Sequence, residues 1–429
     1  MIAASRQTLL ANLVQQASAA VLLLALPNIL EKSAYAQTVF VSVLLSFMAL
    51  ADLGMSLVYG RLVPALITQG DMESVRRWDA SVLQVGLLAS FAFAGFVSAV
   101  YWVRYEYSGG AILLILLPVA MYWASFHVTR VTASGDFSEY RRAISVRSLA
   151  SLLAIPMAAG LGLLGWFAGQ VAAALLVLGY IGRRLLAPFG GVDWNLLRKN
   201  VPEGLILCAI TVMWMQLLNL GRLYASLRYS PEEVAHYGVA GAAYQFMAAL
   251  VISAFLPVSV QVLGRFGRSD RDAFEFMGRI LANAAWFVLA GTVLMVELAP
   301  FALELVFPSY HFDRGMLFGL LLGVAFYPFF ILFGNCLVGK QKGRLYLALL
   351  VVGLAAGGLA GMVIDMFSLG QGAAWGQLLG LTIYTALLYG ASRALFHEAA
   401  PETWNNAGKS LAGVCLFLAV YGATRAFWI

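Results

Sequence analysis

The sequence predicts an all-α polytopic membrane protein with about twelve transmembrane helices, and three observations lead there. Of 429 residues, 62% are hydrophobic and only 11% are charged, with a mean hydropathy of +0.84. A soluble fold carries about 25% charged residues to hydrate its surface, so this exterior faces lipid. The apolar residues fall in runs of spanning length separated by short charged connections. Twelve helices of ~20 residues absorb roughly 240 residues of hydrocarbon-spanning chain, which leaves no room for a separate soluble domain.

Each span is read from an apolar run and the charges that bound it. The first covers 9–31, and its N-terminus lacks both a charged leader and a small-residue cleavage site, so it is retained as a span. The second, 35–60, stops at Arg61; the third, 80–103, lies between Arg77 and Arg104; the fourth, 111–131, closes at Arg130. Spans five and six cover 146–164 and 167–186. The linker GGVDWNLLRKNVPEG, Gly190 to Gly204, follows as the longest polar stretch. Spans seven to twelve cover 203–227, 237–263, 279–306, 315–339, 344–364 and 371–395. A last run, Ser410 to Thr424 before Arg425, Phe427 and Trp428, fits either a thirteenth span or an interfacial helix.

Positive residues collect on cytoplasmic loops whatever a membrane protein does. With the N-terminus inside, all of the 27 Lys and Arg except Lys32, Arg104, Arg222, Arg228, Arg314 and Arg425 fall on the inner side. The formal charge of +6 therefore expresses membrane orientation, and no nucleic-acid partner is expected. The linker divides the chain into an N-terminal half (1–189), a cytoplasmic linker (190–204), a C-terminal half (205–395) and an extension (396–429). The halves have the same orientation, as in a parallel repeat about the membrane normal. Ser33 to Ala36 and Ala235 to Gly238 echo one another at the start of spans two and eight.

Cys208, Cys336 and Cys415 all lie in apolar runs without CxxC spacing, so neither a disulfide framework nor a metal site is expected. No GxxxxGK[ST] loop is present. No cofactor is expected, and energy comes from an ion gradient, the membrane potential or substrate flux.

At this point the order and spacing of several short motifs become informative. Tyr35-Ala-Gln-Thr-Val-Phe-Val, Ala51-Asp52-Leu-Gly54-Met-Ser, Arg61 and Gly70-Asp71 resemble the opening of Wzx-type polysaccharide flippases. These are the O-antigen branch of the multidrug/oligosaccharidyl-lipid/polysaccharide exporter superfamily. Arg198-Lys-Asn-Val-Pro202-Glu, Ser230-Pro-Glu-Glu-Val-Ala-His-Tyr237 and Gly339-Lys340-Gln-Lys342 fall where that family has similar segments, and the similarity extends over residues 1 to about 395. The resemblance implies two six-helix bundles around a central cavity. It implies export of an undecaprenyl-diphosphate-linked oligosaccharide at the bacterial inner membrane by alternating access, coupled to H+ or Na+, with polysaccharide-assembly proteins and membrane lipids as further partners. A thirteenth helix departs from the family's usual twelve or fourteen.

Such a substrate calls for cationic groups for the diphosphate and polar side chains for the sugars, and ionisable residues within spans are the candidates. Asp52 lies nine residues before Arg61, ~13 Å along a helix, and shares a helical face with Ser56 and Tyr59. It is either an ion-coupling site or a carboxylate that pins span two to a neighbour. Gln216, Asn219 and Arg222 form a polar face on span seven, with Arg222 ~9 Å below Arg228; the alternative for Arg222 is snorkelling to the headgroups. Trp123, His127 and Arg130 share a face of span four, as an entry site for phosphate and sugar or as an interfacial anchor. Arg61 at an inner helix end joins the substrate-binding candidates through the motif match. Glu297 and Glu304 flank Pro300 on span nine; Glu297 is the second ion-coupling candidate or a partner for an arginine, whereas Glu304 is interfacial. Asn12, Gln15 and Gln16 form a polar cluster on span one. The Gly353, Gly357, Gly361 series is a small-residue stripe for close helix packing.

Three functions compete. A lipid-linked oligosaccharide flippase ranks first and is not an enzyme. A drug or cation antiporter of the same superfamily would favour intramembrane carboxylates over the arginines and amides seen. A membrane glycosyltransferase would require a sizeable outer loop, whereas the connections at Glu31 to Ser33 and Leu164 to Ala168 are short. The charge distribution also sets the topology. A cysteine at position 193 is expected to label only from the cytoplasm and one at 309 only from outside; labelling of position 193 in intact cells would overturn the orientation.

Overall fold

The computed structural model describes residues 2–105, 111–185, 190–266, 269–310, 312–367, 370–396, 398 and 400–426. Arg268, Phe427 and Trp428 lie outside them. The chain divides into two compact units, Met1–Val212 and Met213–Ile429.

The first unit contains α1 (Ile2–Ile29), α2 (Lys32–Leu45), α3 (Met55–Gln69), α4 (Met72–Tyr105), α5 (Ala111–Ala133), α6 (Phe137–Ser151) and α7 (Ala154–Leu185). It also holds most of α8 (Trp194–Leu218). The second contains α9 (Leu220–Arg228), α10 (Pro231–Phe266), α11 (Asp270–Val306), α12 (Arg314–Leu322), α13 (Tyr327–Gly339), α14 (Gly343–Asp365), α15 (Gly372–Phe396) and α16 (Pro401–Ala426). Eleven helical segments among the described residues are long and apolar enough to cross a membrane. One of them, in α7, folds back on itself. Gly162 adopts φ 59° and ψ −136°, and a Cβ on Gly169 would sit 2.5 Å from the Ala154 Cα. Residues that far apart in one straight helix would be separated by ~22 Å, so α7 forms a hairpin whose short first arm is the end of expected span five and whose second arm is span six.

The expected spans exist, but four are not continuous helices as their hydropathy suggested. Span two breaks between α2 and α3, where a 3-10 turn at Met48–Leu50 leads into Leu53 (φ 51°) and Gly54 (φ 75°). Span five breaks at 152–153, span seven at Asn219, and span ten in a 3-10 stretch, Gly323–Phe326. A hydropathy window averages across such breaks, because side-chain apolarity carries no record of backbone dihedrals. The polar segment 190–204 is non-helical only over 190–193; Asp193 then accepts from the Leu196 N–H at 3.0 Å and starts α8. The run 410–424 lies within α16, which begins at Pro401 and packs on α11, and it is not among the eleven span candidates.

In the first unit, Met55, Val58, Tyr59, Trp78, Val82, Tyr122 and Phe126 form a core between α3, α4 and α5. Ala120, Ala124, Ala143, Ala174 and Val177 form another between α5, α6 and α7. In the second unit the glycine stripe read on span eleven meets a matching stripe on α15. A Cβ on Gly357 would lie 2.7 Å from the Gly376 carbonyl oxygen, and one on Gly361 2.9 Å from that of Gly372. The helix backbones are in contact, which maximises dispersion where lipid removes the hydrophobic drive. Gly357→Val therefore must push α14 from α15 at a cost on the order of 1–3 kcal/mol, read as a lower unfolding temperature in detergent. Gly358, with open space around it, is the control: Gly358→Ala should match wild type, and an equal fall in both variants would discount the stripe.

Candidate functional site

A broken helix inside a membrane exposes backbone groups that water cannot reach, so side chains must bind them. At the span-two break that side chain is Asp52. Its Oδ1 accepts from the Gly54 N–H and its Oδ2 from the Ser56 N–H, each at 3.0 Å, with the Ser56 hydroxyl also donating. Asp52 thus caps α3. It does not share a continuous helix with Ser56 and Tyr59, and its carboxylate is held by the helix start itself. Behind it, a Cβ on Gly204 of α8 would lie 2.6 Å from the Leu53 carbonyl oxygen, and the Cys208 thiol donates to the Ala49 carbonyl at 3.0 Å.

The cap sets the direction of α3, and α3 brings Tyr59 to α4. Tyr59 Oη donates to Asp79 Oδ1 at 2.5 Å, and Arg130 Nε of α5 lies 2.9 Å from Asp79 Oδ2. The Asp79 side chain is 1% exposed and that of Arg130 22%. The arginine expected on the face of Trp123 and His127 therefore turns toward α4. Trp123 Nε1 donates to Nε2 of buried His127 at 2.9 Å, and the indole packs against both cores of this unit. Arg61 reaches α8 and pairs with Glu203 at 2.5 Å, both largely exposed. A solvated pair of that kind contributes at most about 1 kcal/mol, whereas removing one partner of a buried pair costs roughly 3–5 kcal/mol.

Asp79 was missed in the sequence because charge-bounded reading started span three at residue 80, after Arg76 and Arg77. The available signal was the apolar character of Trp78, Ala80, Val82 and Leu83 around it.

In the second unit the break at Asn219 (φ −113°) separates Gln216 on α8 from Arg222 on α9. The three residues are therefore not on one helical face. Asn219 Nδ2 donates to the Met215 carbonyl at 2.8 Å and its Oδ1 accepts from Gln245 Nε2 at 2.6 Å. Gln216 is buried. Arg222 lies along the glycine face of α10, where its Nε is 3.0 Å from a Cβ position on Gly241 and its guanidinium donates to the Gly238 carbonyl at 3.5 Å. Gln377 of α15 closes the break: its Oε1 accepts from the Gly221 N–H at 2.9 Å while its Nε2 donates to the Leu218 carbonyl at 3.1 Å. No feature of the sequence around Gln377 marks it, since its partners lie over 150 positions away. Glu297 accepts a hydrogen bond from Tyr421, which fastens α16 to α11. Among the described residues no cluster of His, Cys, Asp and Glu suits a metal ion.

Arginines and amides, groups suited to anions and hydroxyls, thus occur in both units, in the first with Arg130 and Arg61 paired to carboxylates. Among solved structures the chain is similar to an inward-facing multidrug resistance MATE family transporter of the MOP superfamily (TM-score 0.67, 15% identity, 92% of this chain and 95% of that one). It is also similar to the lipid II flippase MurJ in an inward closed conformation (TM-score 0.65, 12% identity, 99% and 93%). The Vibrio cholerae MATE transporter VcmN in its bent form gives a TM-score of 0.60 at 14% identity, with 97% and 98% covered. No family model and no curated protein sequence matches. The chain has the two-bundle, all-helical fold of these transporters.

If Gln377 holds the span-seven break, Gln377→Leu leaves the Gly221 N–H and the Leu218 carbonyl without it, at about 1–3 kcal/mol for each orphaned group. The unfolding temperature in detergent should fall clearly, and further than for Gln377→Glu, which keeps the acceptor. Equal stability of Gln377→Leu and wild type would show that other groups close the break.

Proposed function

We propose that this chain is a membrane transporter of the bacterial inner membrane that flips an undecaprenyl-diphosphate-linked oligosaccharide by alternating access, coupled to an ion. The observation that carries this reading is the cluster at the span-seven break. Near this break lie Arg222, which donates to the Gly238 carbonyl, the mutually bonded amides of Asn219 and Gln245, and buried Gln216, with Tyr237 and Tyr244 on the adjoining helix. A guanidinium binds phosphate oxygens with directed, charge-assisted hydrogen bonds, and amides and phenols match sugar hydroxyls. The similarity to a lipid II flippase in fold supports the same substrate class, as does the resemblance of the short motifs around Asp52 and Arg61.

A drug or cation antiporter is the second reading, favoured by the likeness to MATE transporters. Cationic substrates call for an available carboxylate. Here Asp52 is bound to the start of α3 and Asp79 is paired with Arg130, which favours the anionic substrate.

Native mass spectrometry of the purified protein is expected to find a co-purifying polyprenyl-diphosphate sugar, and a bound organic cation would favour the antiporter. In transporter-deficient cells, Arg222→Ala should lose most of the surface polysaccharide that wild type restores. Arg222→Lys keeps the charge without the planar fork and should retain part. Wild-type polysaccharide levels from Arg222→Ala at equal membrane abundance would remove Arg222 from the site.

A further inference from the structure

The first unit carries two buried carboxylates in its spans, and they are held in different ways. Asp52 is bound through both oxygens by backbone N–H groups at the start of α3, so its charge is compensated by the helix it caps. Releasing it leaves the first N–H groups of that helix uncapped, at a cost of about 0.5–2 kcal/mol. Asp79 is compensated by a side chain on another helix. Of the described ion pairs, Arg130–Asp79 is the one whose carboxylate is removed from solvent, and its arginine is the more exposed partner.

We propose that Asp79 is a proton-coupling residue: when Arg130 leaves it for a phosphate-bearing ligand, Asp79 takes up one proton. The proposal rests on the reading of Arg130 as a ligand for the diphosphate. In the resting pair the charges of carboxylate and guanidinium cancel. A phosphate oxygen that draws the guanidinium away keeps Arg130 compensated and leaves a carboxylate among Tyr59, Trp78, Val82 and Phe126, where an uncompensated charge is strongly disfavoured. A proton from water, entering on the side the guanidinium has vacated, binds Oδ2 and neutralises it. Tyr59 continues to donate to Oδ1 in both states, so the side chain keeps its place. Release of the ligand returns Arg130 to Asp79 and expels the proton. Ligand occupancy and proton occupancy are thereby linked through one arginine.

The charged and titratable groups around Asp79 are few. From α3 comes Tyr59, with Arg61 beyond it committed to Glu203 of α8. From α5 comes Arg130, with His127 behind it bonded to Trp123. On α4 itself, exposed Arg76 lies three residues before Asp79, and Glu73 and Arg77 pair with each other in the first turns. From the segment before α8, Asp193 bonds through its backbone N–H to Ser81. Lys32, at the start of α2, is the charged residue of that helix. Neither Glu73 nor Asp193 shares the environment of Asp79, since both lie in more exposed positions.

The test uses the full chain in detergent and inorganic pyrophosphate as the probe, with calorimetric titrations in two buffers of different ionisation enthalpy. At pH 7 wild type is expected to take up about one proton more per pyrophosphate bound than Asp79→Asn, a comparison that cancels the ligand's own titration. Arg130→Gln should bind pyrophosphate at least roughly tenfold more weakly, the loss of a charge-assisted contact. Equal proton counts for wild type and Asp79→Asn would overturn the proposal, and so would failure of wild type to bind pyrophosphate. Should Asp79→Asn not fold, infrared difference spectra of wild type decide: pyrophosphate should induce a protonated-carboxyl stretching band that shifts in Asp79→Glu, and its absence would overturn the proposal. Extra proton uptake without any co-purifying polyprenyl-diphosphate sugar would instead sink the flippase reading and leave Asp79 as a coupling residue. The sugar lipid with equal proton counts would do the reverse.

Discussion

Lipid offers no hydrogen bonds, so every interruption of a spanning helix has to be closed from within the protein, and the polar architecture of this chain follows from that constraint. Asp52 closes the span-two break and Gln377 the span-seven break, each by binding backbone groups on the resumed helix. Other features depend on these two closures. The first fixes where α3 starts and so brings Tyr59 to Asp79. The second fixes where α9 starts and so lays Arg222 along α10. Glycine permits both geometries: Gly54 adopts a positive φ and allows Gly204 of α8 to approach, while Gly241 makes room for the arginine side chain.

Both units hold exposed ion pairs, such as Arg265–Asp272 in the second, but the arginines singled out in their spans are surrounded differently. In the first, arginines are matched to carboxylates, as Arg130 to Asp79 and Arg61 to Glu203. Loss of one partner costs more at the buried pair than at the exposed one. In the second, the Arg222 cluster is built of amides and phenols, and its carboxylates serve elsewhere. Glu297 holds α16 through Tyr421, and Asp365 accepts from Tyr229 and from the Gly372 N–H where α14 passes into α15.

Rigid packing surrounds these adjustable elements. Gly353, Gly357 and Gly361 bring α14 onto α15 with backbones in contact, and the glycines of α15 answer them. Tyr122 occupies space left by Gly86 and donates to the Val82 carbonyl at 3.0 Å, which ties α5 to α4 beside the charged pair.

The sequence by itself determined the membrane-spanning class, the order of the spans, and the glycine stripe on span eleven. These follow from properties local to the chain: runs of apolar residues, the charges that end them, and small residues at helical spacing. It also singled out Arg222, Asn219, Arg130 and Asp52 as polar groups in apolar surroundings, but not what they do. Only the tertiary structure decided that Asp52 caps a resumed helix, that Arg130 turns to Asp79 rather than joining Trp123, that Asn219 sits in a break, and that Glu297 is bound by Tyr421. A backbone break leaves hydropathy unchanged, and a side-chain pair between helices joins residues 20 to 160 positions apart, so one sequence contains no local signal for either.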